Sequence, residues 1–326
     1  MSKKLVLAEK PSVGRDIARV LKCNKKGEGF IEGNEYIVTW ALGHLVELAS
    51  PERYDEKYKS WNIEDLPMMP SPFKLDVIKK SNKQFHAVKK QLNRKDVTEI
   101  IIATDAGREG ELVARWIIEK AHCQKPIKRL WISSVTDKAI KDGFNHLKDG
   151  RNYDNLYYSA LARAEADWIV GINATRALTC KYNAQLSCGR VQTPTLNLIA
   201  TREKEIKDFV PKDYWKAELS ANGNSFLWKD HKTSENRIFD ENTLQNLLRK
   251  LQGQAQAKVI RVDTKEKSSY SPLLYDLTEL QRDANKLFDF SAKETLSIAQ
   301  RLYENHKVLT YPRTDSRYLT TDIIST

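Results

Sequence analysis

The chain has 326 residues, enough for a sizeable hydrophobic core and for two or more domains. It carries 54 lysines and arginines against 43 aspartates and glutamates, a formal net charge of +11. This excess favours a polyanionic partner, with nucleic acid first, although a merely basic soluble protein would show the same balance. The four cysteines form no Cys-x-x-Cys pair, which argues against a cysteine-bound zinc and predicts reduced thiols. The chain shows no signal peptide and no apolar stretch of membrane-spanning length, so we expect a cytoplasmic protein without a membrane partner.

The N-terminal elements follow the order of an α/β domain. Residues 5–8 form a short apolar run typical of a central strand, and Pro11 then opens a helix with one apolar face. A second strand and helix begin at Ile100, and a third apolar run covers 130–132. These patterns predict a mostly parallel sheet flanked by helices. Ligands of such sheets bind beyond the carboxyl ends of the strands, where Glu9 and Asp105 fall.

The remainder of the chain shows first a helical and then an alternating sequence pattern, followed by two amphipathic helices. Residues 154–202 predict long helices, interrupted at 186–190, with apolar interior positions that include Ala160 and Val170. Residues 211–269 alternate, as at 214–219 and 257–262, which predicts antiparallel strands around one helix at 243–251. Two amphipathic helices follow a linker at 268–272, and Ser291 and Glu294 have the spacing of a capping box. The predicted fold class is multi-domain α/β and α+β.

A tyrosine near the end of the chain is a candidate nucleophile. Pro312 biases Tyr311 towards extended backbone, so the phenol can project from a break in the chain. Arg313 can fork onto a phosphate oxygen beside it. On this tripeptide alone, an ordinary loop with a half-buried phenol is the alternative.

Carboxylates at the ends of the two strands complete a candidate site for phosphoryl transfer. Asp105 and Glu109 follow the second strand, where a solvated helix start is the simpler reading. Attack on a phosphodiester requires that its oxygens be neutralised and its leaving oxygen protonated, and Lys10 is the candidate proton donor. Because carboxylates repel a phosphate, Glu9, Asp105 and Glu109 are consistent with this chemistry only if they bind Mg²⁺.

Four segments resemble signature segments of one family, in the same order. They are LAEKPS at 7–12, ATDAGREGE at 103–111, LSCGRVQTP at 186–194 and LTYPRTDS at 309–316. The sequence resembles the type IA DNA topoisomerases, and within that family the bacterial topoisomerase III group. The resemblance implies a Toprim domain at 1–150 and part of a helical domain for single-stranded DNA at 151–210. It further implies part of an arch domain of β structure at 211–270 and the start of the tyrosine-bearing domain at 271–326.

The resemblance implies a reaction and its partners. Tyr311 would join the 5′-phosphate of one DNA strand, let another strand pass and reseal the break without ATP, relaxing negative supercoils or decatenating DNA. The implied cofactor is Mg²⁺, held by Glu9, Asp105 and Glu109. The implied partners are single-stranded DNA and negatively supercoiled or catenated duplex DNA. The implied protein is a monomer, associated with the nucleoid, that can work with a helicase.

The resemblance also implies DNA contacts outside the cleavage site. Arg163 and Asp167 match a pair in the domain that holds single-stranded DNA, and Ser187, Arg190 and Gln192 would contact the DNA backbone there. A helix cap followed by a surface arginine is the alternative for this last group.

Two residues before the tyrosine are candidates for a supporting role. Gln300 and Glu304 lie one helical turn apart on the preceding helix and face the same way. An exposed polar face is the alternative.

The sequence departs from the family pattern at two points. Gly107 stands where the family has a second aspartate, so we expect one Mg²⁺, held more weakly, rather than two. The chain also ends at Thr326, soon after Tyr311, so we expect a truncated enzyme that binds single-stranded DNA but relaxes supercoils poorly.

Two other functions fit parts of the pattern. A Toprim nuclease or primase-like protein would use Glu9 and Asp105 with water as nucleophile and would not need Tyr311. A non-catalytic DNA-binding protein would use the net charge and aromatic stacking alone.

Overall fold

The computed structural model describes residues 2–132, 134–254 and 256–319. It contains two compact units, one of Met1–Thr193 with Pro272–Thr326 and the other of Pro194–Ser271. The domain boundaries expected from the sequence, after residues 150, 210 and 270, stay predictions. None of the described helices is long and apolar enough to cross a bilayer.

The strands are β1 (Lys3–Ala8), β2 (Lys25–Gly27), β3 (Phe30–Glu32), β4 (Tyr36–Trp40), β5 (Val46–Leu48), β6 (Leu75–Val77), β7 (Val97–Ala103), β8 (Ile127–Arg129), β9 (Lys148–Asp149), β10 (Glu218–Ala221) and β11 (Asn224–Leu227). The helices are α1 (Pro11–Val20), α2 (Asn82–Leu92), α3 (Arg108–Lys120), α4 (Asp137–Asn145), α5 (Asp154–Tyr182), α6 (Gln192–Lys207), α7 (Glu241–Leu251), α8 (Leu277–Phe288) and α9 (Ala292–Arg301). A π-helical turn, Leu302–His306, follows α9.

The first unit is built on a seven-stranded sheet with the order β2-β3-β4-β1-β7-β8-β9. Its four central strands are parallel, as the sequence predicts, whereas β2, β3 and β9 pair antiparallel at the two edges. Antiparallel edges arise because β2, β3 and β4 are joined by short turns, which cannot make the crossover that parallel pairing needs. Ala8 pairs with Ala103 in the register of β1 and β7, so both strands end at the same edge.

The core lies on both faces of the sheet. Alternate residues of β1 and β7 enter two separate apolar clusters, with Leu5 and Ile100 in one and Val6 and Ile101 in the other, and all four are fully buried. Burial of each such side chain contributes about 1.5–3 kcal/mol. This two-sided burial is why the strands read as continuous apolar runs rather than as alternating patterns.

Two details differ from the sequence prediction in the first unit, and a third agrees with it. The third parallel strand is β8, three residues before the apolar run at 130–132, because the backbone of 127–129 pairs with β7. Along α5, Ala160 is buried as predicted but Val170 is 45% exposed. At α9 the Ser291 side chain accepts a hydrogen bond from the Glu294 amide, as the cap spacing predicts.

The second unit contains most of α6, the antiparallel hairpin β10–β11 and α7. The side chain of Asp240 caps α7, which therefore begins two residues before the predicted position. The strand predicted at 257–262 is wrong: within the described residues no strand pairs with this segment, and Ile260 is 91% exposed. An alternating pattern indicates a strand only when a neighbouring strand satisfies its backbone groups.

Candidate active site

The carboxylates of Glu9 and Asp105 lie together at the shared end of β1 and β7. The main-chain nitrogen of Asp105 donates a hydrogen bond to Oε2 of Glu9 at 3.1 Å. Burial raises the pKa of Glu9, and the negative charge of Asp105 raises it further. Oδ2 of Asp105 is buried without a hydrogen-bond partner among the described residues. A buried carboxylate oxygen with a second carboxylate beside it fits a hard cation, which takes oxygen ligands.

Glu109, the third predicted Mg²⁺ ligand, is bound by an arginine side chain. Oε1 of Glu109 accepts a hydrogen bond from Arg163 at 3.0 Å. Among the described residues, no three histidine, cysteine, aspartate or glutamate side chains are grouped as a metal site would require. At Gly107 an added Cβ would meet no atom within 4 Å, so the position of the expected second aspartate is open space. The residues present fit a cation held by Glu9 and Asp105.

Tyr311 lies beside these two carboxylates. Its ring packs edge-on against that of Tyr303, with 5.6 Å between ring centroids, and both rings join the apolar cluster under α1. Burial raises the pKa of Tyr311 well above its usual value, the charges of Asp105 and Glu9 raise it further, and Arg313 partly offsets the shift. The structure therefore brings the candidate nucleophile to the strand ends, although they are far apart in sequence.

Lys10 is held by the π-helical turn that precedes Tyr311. Its Nζ lies 2.8 Å from Oε1 of Glu304, which also accepts a hydrogen bond from Gln300. Burial raises the pKa of Glu304, but the hydrogen bonds from Lys10 and Gln300 outweigh it, so the pKa is lower than usual. Glu304 and Gln300 thus lie at the site rather than on an exposed polar face.

This ion pair leads to a testable effect on the reaction rate. Replacing Glu304 with glutamine keeps the shape of the side chain but removes the charge that holds the Lys10 ammonium. We expect the rate constant of the predicted strand cleavage to fall about 10- to 100-fold, because Lys10, the predicted proton donor, acts only when it is correctly placed, while DNA affinity stays unchanged. Single-turnover cleavage and equilibrium binding, measured side by side, separate the two effects.

The matched control for Glu304→Gln lies in the same segment. Lys307 forms an ion pair with Asp16 at 2.6 Å and does not contact Lys10. Lys307→Gln should therefore leave the cleavage rate within about twofold, as expected for a partly exposed pair. Equal losses in the two variants would show that only the anchoring of the segment matters.

The predicted DNA-holding residues form a second cluster that includes Glu109. Arg163 lies between Glu109 and Asp167. Asp167 also binds Arg190, whose Nη2 donates to Oδ2 of Asp167 at 3.1 Å. Glu109, Arg163 and Asp167 line one side of a cavity of about 180 Å³, which is also lined by His44. The structure thus joins Glu109, Arg163, Asp167 and Arg190.

The other two residues predicted to contact DNA, Ser187 and Gln192, are both exposed. Gln192 is the first residue of α6, and its side chain lies next to Gly189. Exposure of this kind is compatible with contact to a DNA backbone and equally with an ordinary surface.

One residue important for the site escaped the sequence analysis. Arg129 at the end of β8 is fully buried, and its Nε lies 2.5 Å from Oε1 of Glu111, which is also fully buried. Its Nη atoms donate to the carbonyl oxygens of Thr104 at 2.8 Å and Asp105 at 2.7 Å. Arg129 therefore holds the backbone that carries Asp105. The sequence signal that could have identified it is an arginine next to an apolar run of the core. Arginine is seldom fully buried without a partner, so such a position indicates a buried ion pair.

Comparisons with known proteins identify the family of the chain. A family model described as DNA topoisomerase matches residues 151–326, and one described as Toprim domain matches residues 4–135. The first match covers more than half of the chain, which belongs to the DNA topoisomerase family. The fold class and the family resemblance inferred from the sequence are confirmed.

Individual relatives show which members of the family the chain is similar to. The chain is 65% identical over 326 residues to DNA topoisomerase 3 of Bacillus subtilis and 66% identical to that of Bacillus licheniformis, covering 100% of this chain and 45% of each relative. Among solved structures, it is similar to full-length topoisomerase I from Thermotoga maritima, with a TM-score of 0.68 and 26% identity over 99% of this chain and 51% of that one. The chain therefore spans about half the length of these relatives.

Proposed function

We propose that this chain carries the strand-cleaving site of a type IA DNA topoisomerase. The observation that carries the proposal is the position of the Tyr311 phenol beside Asp105 and Glu9, with Lys10 held next to them by Glu304. The substrates are single-stranded DNA and negatively supercoiled or catenated duplex DNA. The similarity to DNA topoisomerase 3 supports this choice. The resemblance of the sequence motifs to the family further implies that the protein acts as a monomer in the cytoplasm, at the nucleoid, and works with a helicase.

The proposed reaction exchanges one phosphoester for another. The Tyr311 oxygen forms a bond to phosphorus as the bond from phosphorus to the 3′ oxygen breaks. Lys10 supplies a proton to the departing 3′ oxygen, and the phenolic proton leaves to solvent. The products are a 5′-phosphotyrosine and a free 3′-hydroxyl. Resealing is the reverse attack, which needs no ATP because the phosphotyrosine bond retains the free energy of the broken ester.

Charge at the phosphate decides whether this attack is possible. Arg313 is exposed at the site and can donate to a phosphate oxygen. Mg²⁺ bound by Glu9 and Asp105 would supply further positive charge near the phosphate, as the match to the Toprim model supports. The raised pKa of Tyr311 keeps the phenol protonated until such charge is in place.

Trapping of the covalent adduct tests the function. The intact protein is mixed with an end-labelled single-stranded oligonucleotide and Mg²⁺, quenched with denaturant and digested, and the labelled peptide is identified by mass. We expect the DNA on the peptide that contains Tyr311. Free cleaved DNA without an adduct would instead indicate a nuclease, and binding without cleavage would indicate a non-catalytic protein.

The open position at Gly107 allows the proposed metal site to be strengthened. An aspartate fits there because an added Cβ meets no atom within 4 Å. We expect Gly107→Asp to tighten Mg²⁺ binding about tenfold, since one more carboxylate near the cation contributes about 1–4 kcal/mol. Calorimetric titration measures the change directly. Gly107→Asn adds a side chain of the same size without charge and should bind Mg²⁺ like the natural protein; equal affinities in all three would remove position 107 from the site.

A further inference from the structure

One face of α1 and the segment after it form a basic surface that the site described above does not use. We call it the α1 basic face, made of five exposed cations within positions 15–26: Arg15, Arg19, Lys22, Lys25 and Lys26. Arg15 and Arg19 have the i, i+4 spacing of a single helix face, and Lys22 follows two residues after the end of α1. The opposite face of α1 is buried through Val13 and Ile17. Packing therefore turns Arg15 and Arg19 outwards together, and the exposed Lys22 lines the same cavity.

The α1 basic face borders a cavity of about 440 Å³. Four of its five cations line this cavity, whose floor includes Ala18 and Ile31, and none of the lining residues is acidic. Concave surfaces lined by one sign of charge concentrate counter-ions and charged partners. The cavity contains no aromatic side chain on which a base could stack. Its chemistry suits phosphate groups rather than bases.

Most of these charges are free to bind a ligand. Arg19 forms an ion pair with Asp137, with an N–O distance of 2.6 Å, and Asp16 forms one with Lys307. In the described part of the chain, the other four cations of this face, Arg15, Lys22, Lys25 and Lys26, form no ion pair. Unpaired cations on one small surface repel one another unless an anion lies between them.

The position of the α1 basic face relative to Lys10 indicates the anion. Because α1 begins directly after Lys10 and a helix rises 1.5 Å per residue, Arg15 lies about 7 Å and Arg19 about 13 Å along the helix axis from Lys10. These distances correspond to a few nucleotides of a DNA strand, counted from the scissile phosphate. A strand whose scissile phosphate is at Lys10 can therefore reach the α1 basic face.

We propose that the α1 basic face binds backbone phosphates of the DNA strand next to the scissile bond, independently of base sequence. This proposal rests on the proposed cleavage site, and it adds a binding surface outside the residues that match the family segments. Its role is to retain the strand near the site by contacts that the covalent bond to Tyr311 does not supply.

The salt dependence of DNA binding tests this surface. The triple variant Arg15→Gln, Lys22→Gln, Lys26→Gln removes the three unpaired cations that line the cavity. For single strands, the slope of log binding constant against log salt changes by about 0.7 per phosphate contact, so we expect the slope for oligothymidylate to fall by about 2. The affinity at low salt should fall at least tenfold.

A matched triple variant controls for net charge. Lys79→Gln, Lys80→Gln, Lys90→Gln also removes three exposed cations, and none of these lysines lines the cavity. It should change the slope by less than 0.5, on the same scale of about 0.7 per contact. Equal slopes in the two triple variants would overturn the proposal. If the first triple variant fails to fold, Arg15→Gln alone should still lower the slope by about 0.7, and an unchanged slope would overturn the proposal equally.

Adduct formation keeps this test separate from the proposed function. On a short oligonucleotide that reaches only the cleavage site, the triple variant of the α1 basic face should form the Tyr311 adduct as the natural protein does. Absence of any adduct from the natural protein would contradict the proposed function and leave the slope measurement valid.

Discussion

Replacing Tyr311 with phenylalanine should abolish the covalent adduct and lower DNA strand cleavage by about a thousandfold or more. The variant lacks the only oxygen that can form the proposed phosphoester, and loss of a nucleophile typically has effects of this size or larger. The fold should be unchanged, because phenylalanine keeps the edge-on ring contact with Tyr303. Denaturing electrophoresis of the protein with labelled oligonucleotide measures adduct and cleaved DNA in one experiment.

The neighbouring phenol provides the control. Tyr303 is 6% exposed and lies in the same apolar cluster, and burial raises its pKa well above its usual value. Tyr303→Phe removes the hydroxyl of the ring that packs against Tyr311 without removing the candidate nucleophile, so we expect the adduct to persist. Cleavage that survives in Tyr311→Phe would show that water is the nucleophile and would favour a Toprim nuclease instead.

The second large effect concerns stability. Arg129→Met should lower the free energy of unfolding by about 3–5 kcal/mol, the cost of removing one partner from a buried ion pair. The change leaves Glu111 buried with only Arg115 at 3.0 Å and removes the donors to the carbonyl oxygens of Thr104 and Asp105. Urea denaturation followed by tryptophan fluorescence measures the loss, since Trp131 lies against the Arg129 guanidinium, 5.0 Å from ring centroid to Cζ.

Two further variants separate the buried charge from other effects. Arg151 is 86% exposed and pairs with Asp149 at 3.1 Å, so Arg151→Met should change stability by no more than about 1 kcal/mol. The double variant Glu111→Leu, Arg129→Met should lose less stability than Arg129→Met alone, because no buried carboxylate remains that has lost one of its two cationic partners. A loss in the double variant as large as in the single one would mean that the carbonyl contacts, not the ion pair, dominate.

The resemblance and the local signals of the sequence predicted much of the architecture. Apolar runs identified β1 and β7, and the rule that ligands bind at the carboxyl ends of parallel strands placed Glu9 and Asp105 at one edge. The capping serine identified the start of α9. These signals succeed because helix capping depends on neighbours in sequence, and burial on both faces of the sheet gives a strand a continuous apolar run.

Other features depend on partners that no local pattern specifies. The partner of Glu109 is Arg163, and the segment at 257–262 finds no pairing strand within the described residues. Arg129 could not be assigned a role from the sequence, because the carbonyl oxygens to which it donates belong to Thr104 and Asp105, which follow another strand.

The sequence by itself determined the chemical groups of the candidate site and the strands that carry two of them, because residue type, motif spacing and apolar periodicity are local properties. Only the tertiary structure decided that Tyr311 meets Asp105, that Glu304 holds Lys10 and that Arg129 supports the acidic turn. The physical reason is that these contacts join segments far apart in sequence, and their geometry follows from how the whole sheet and the returning C-terminal helices pack.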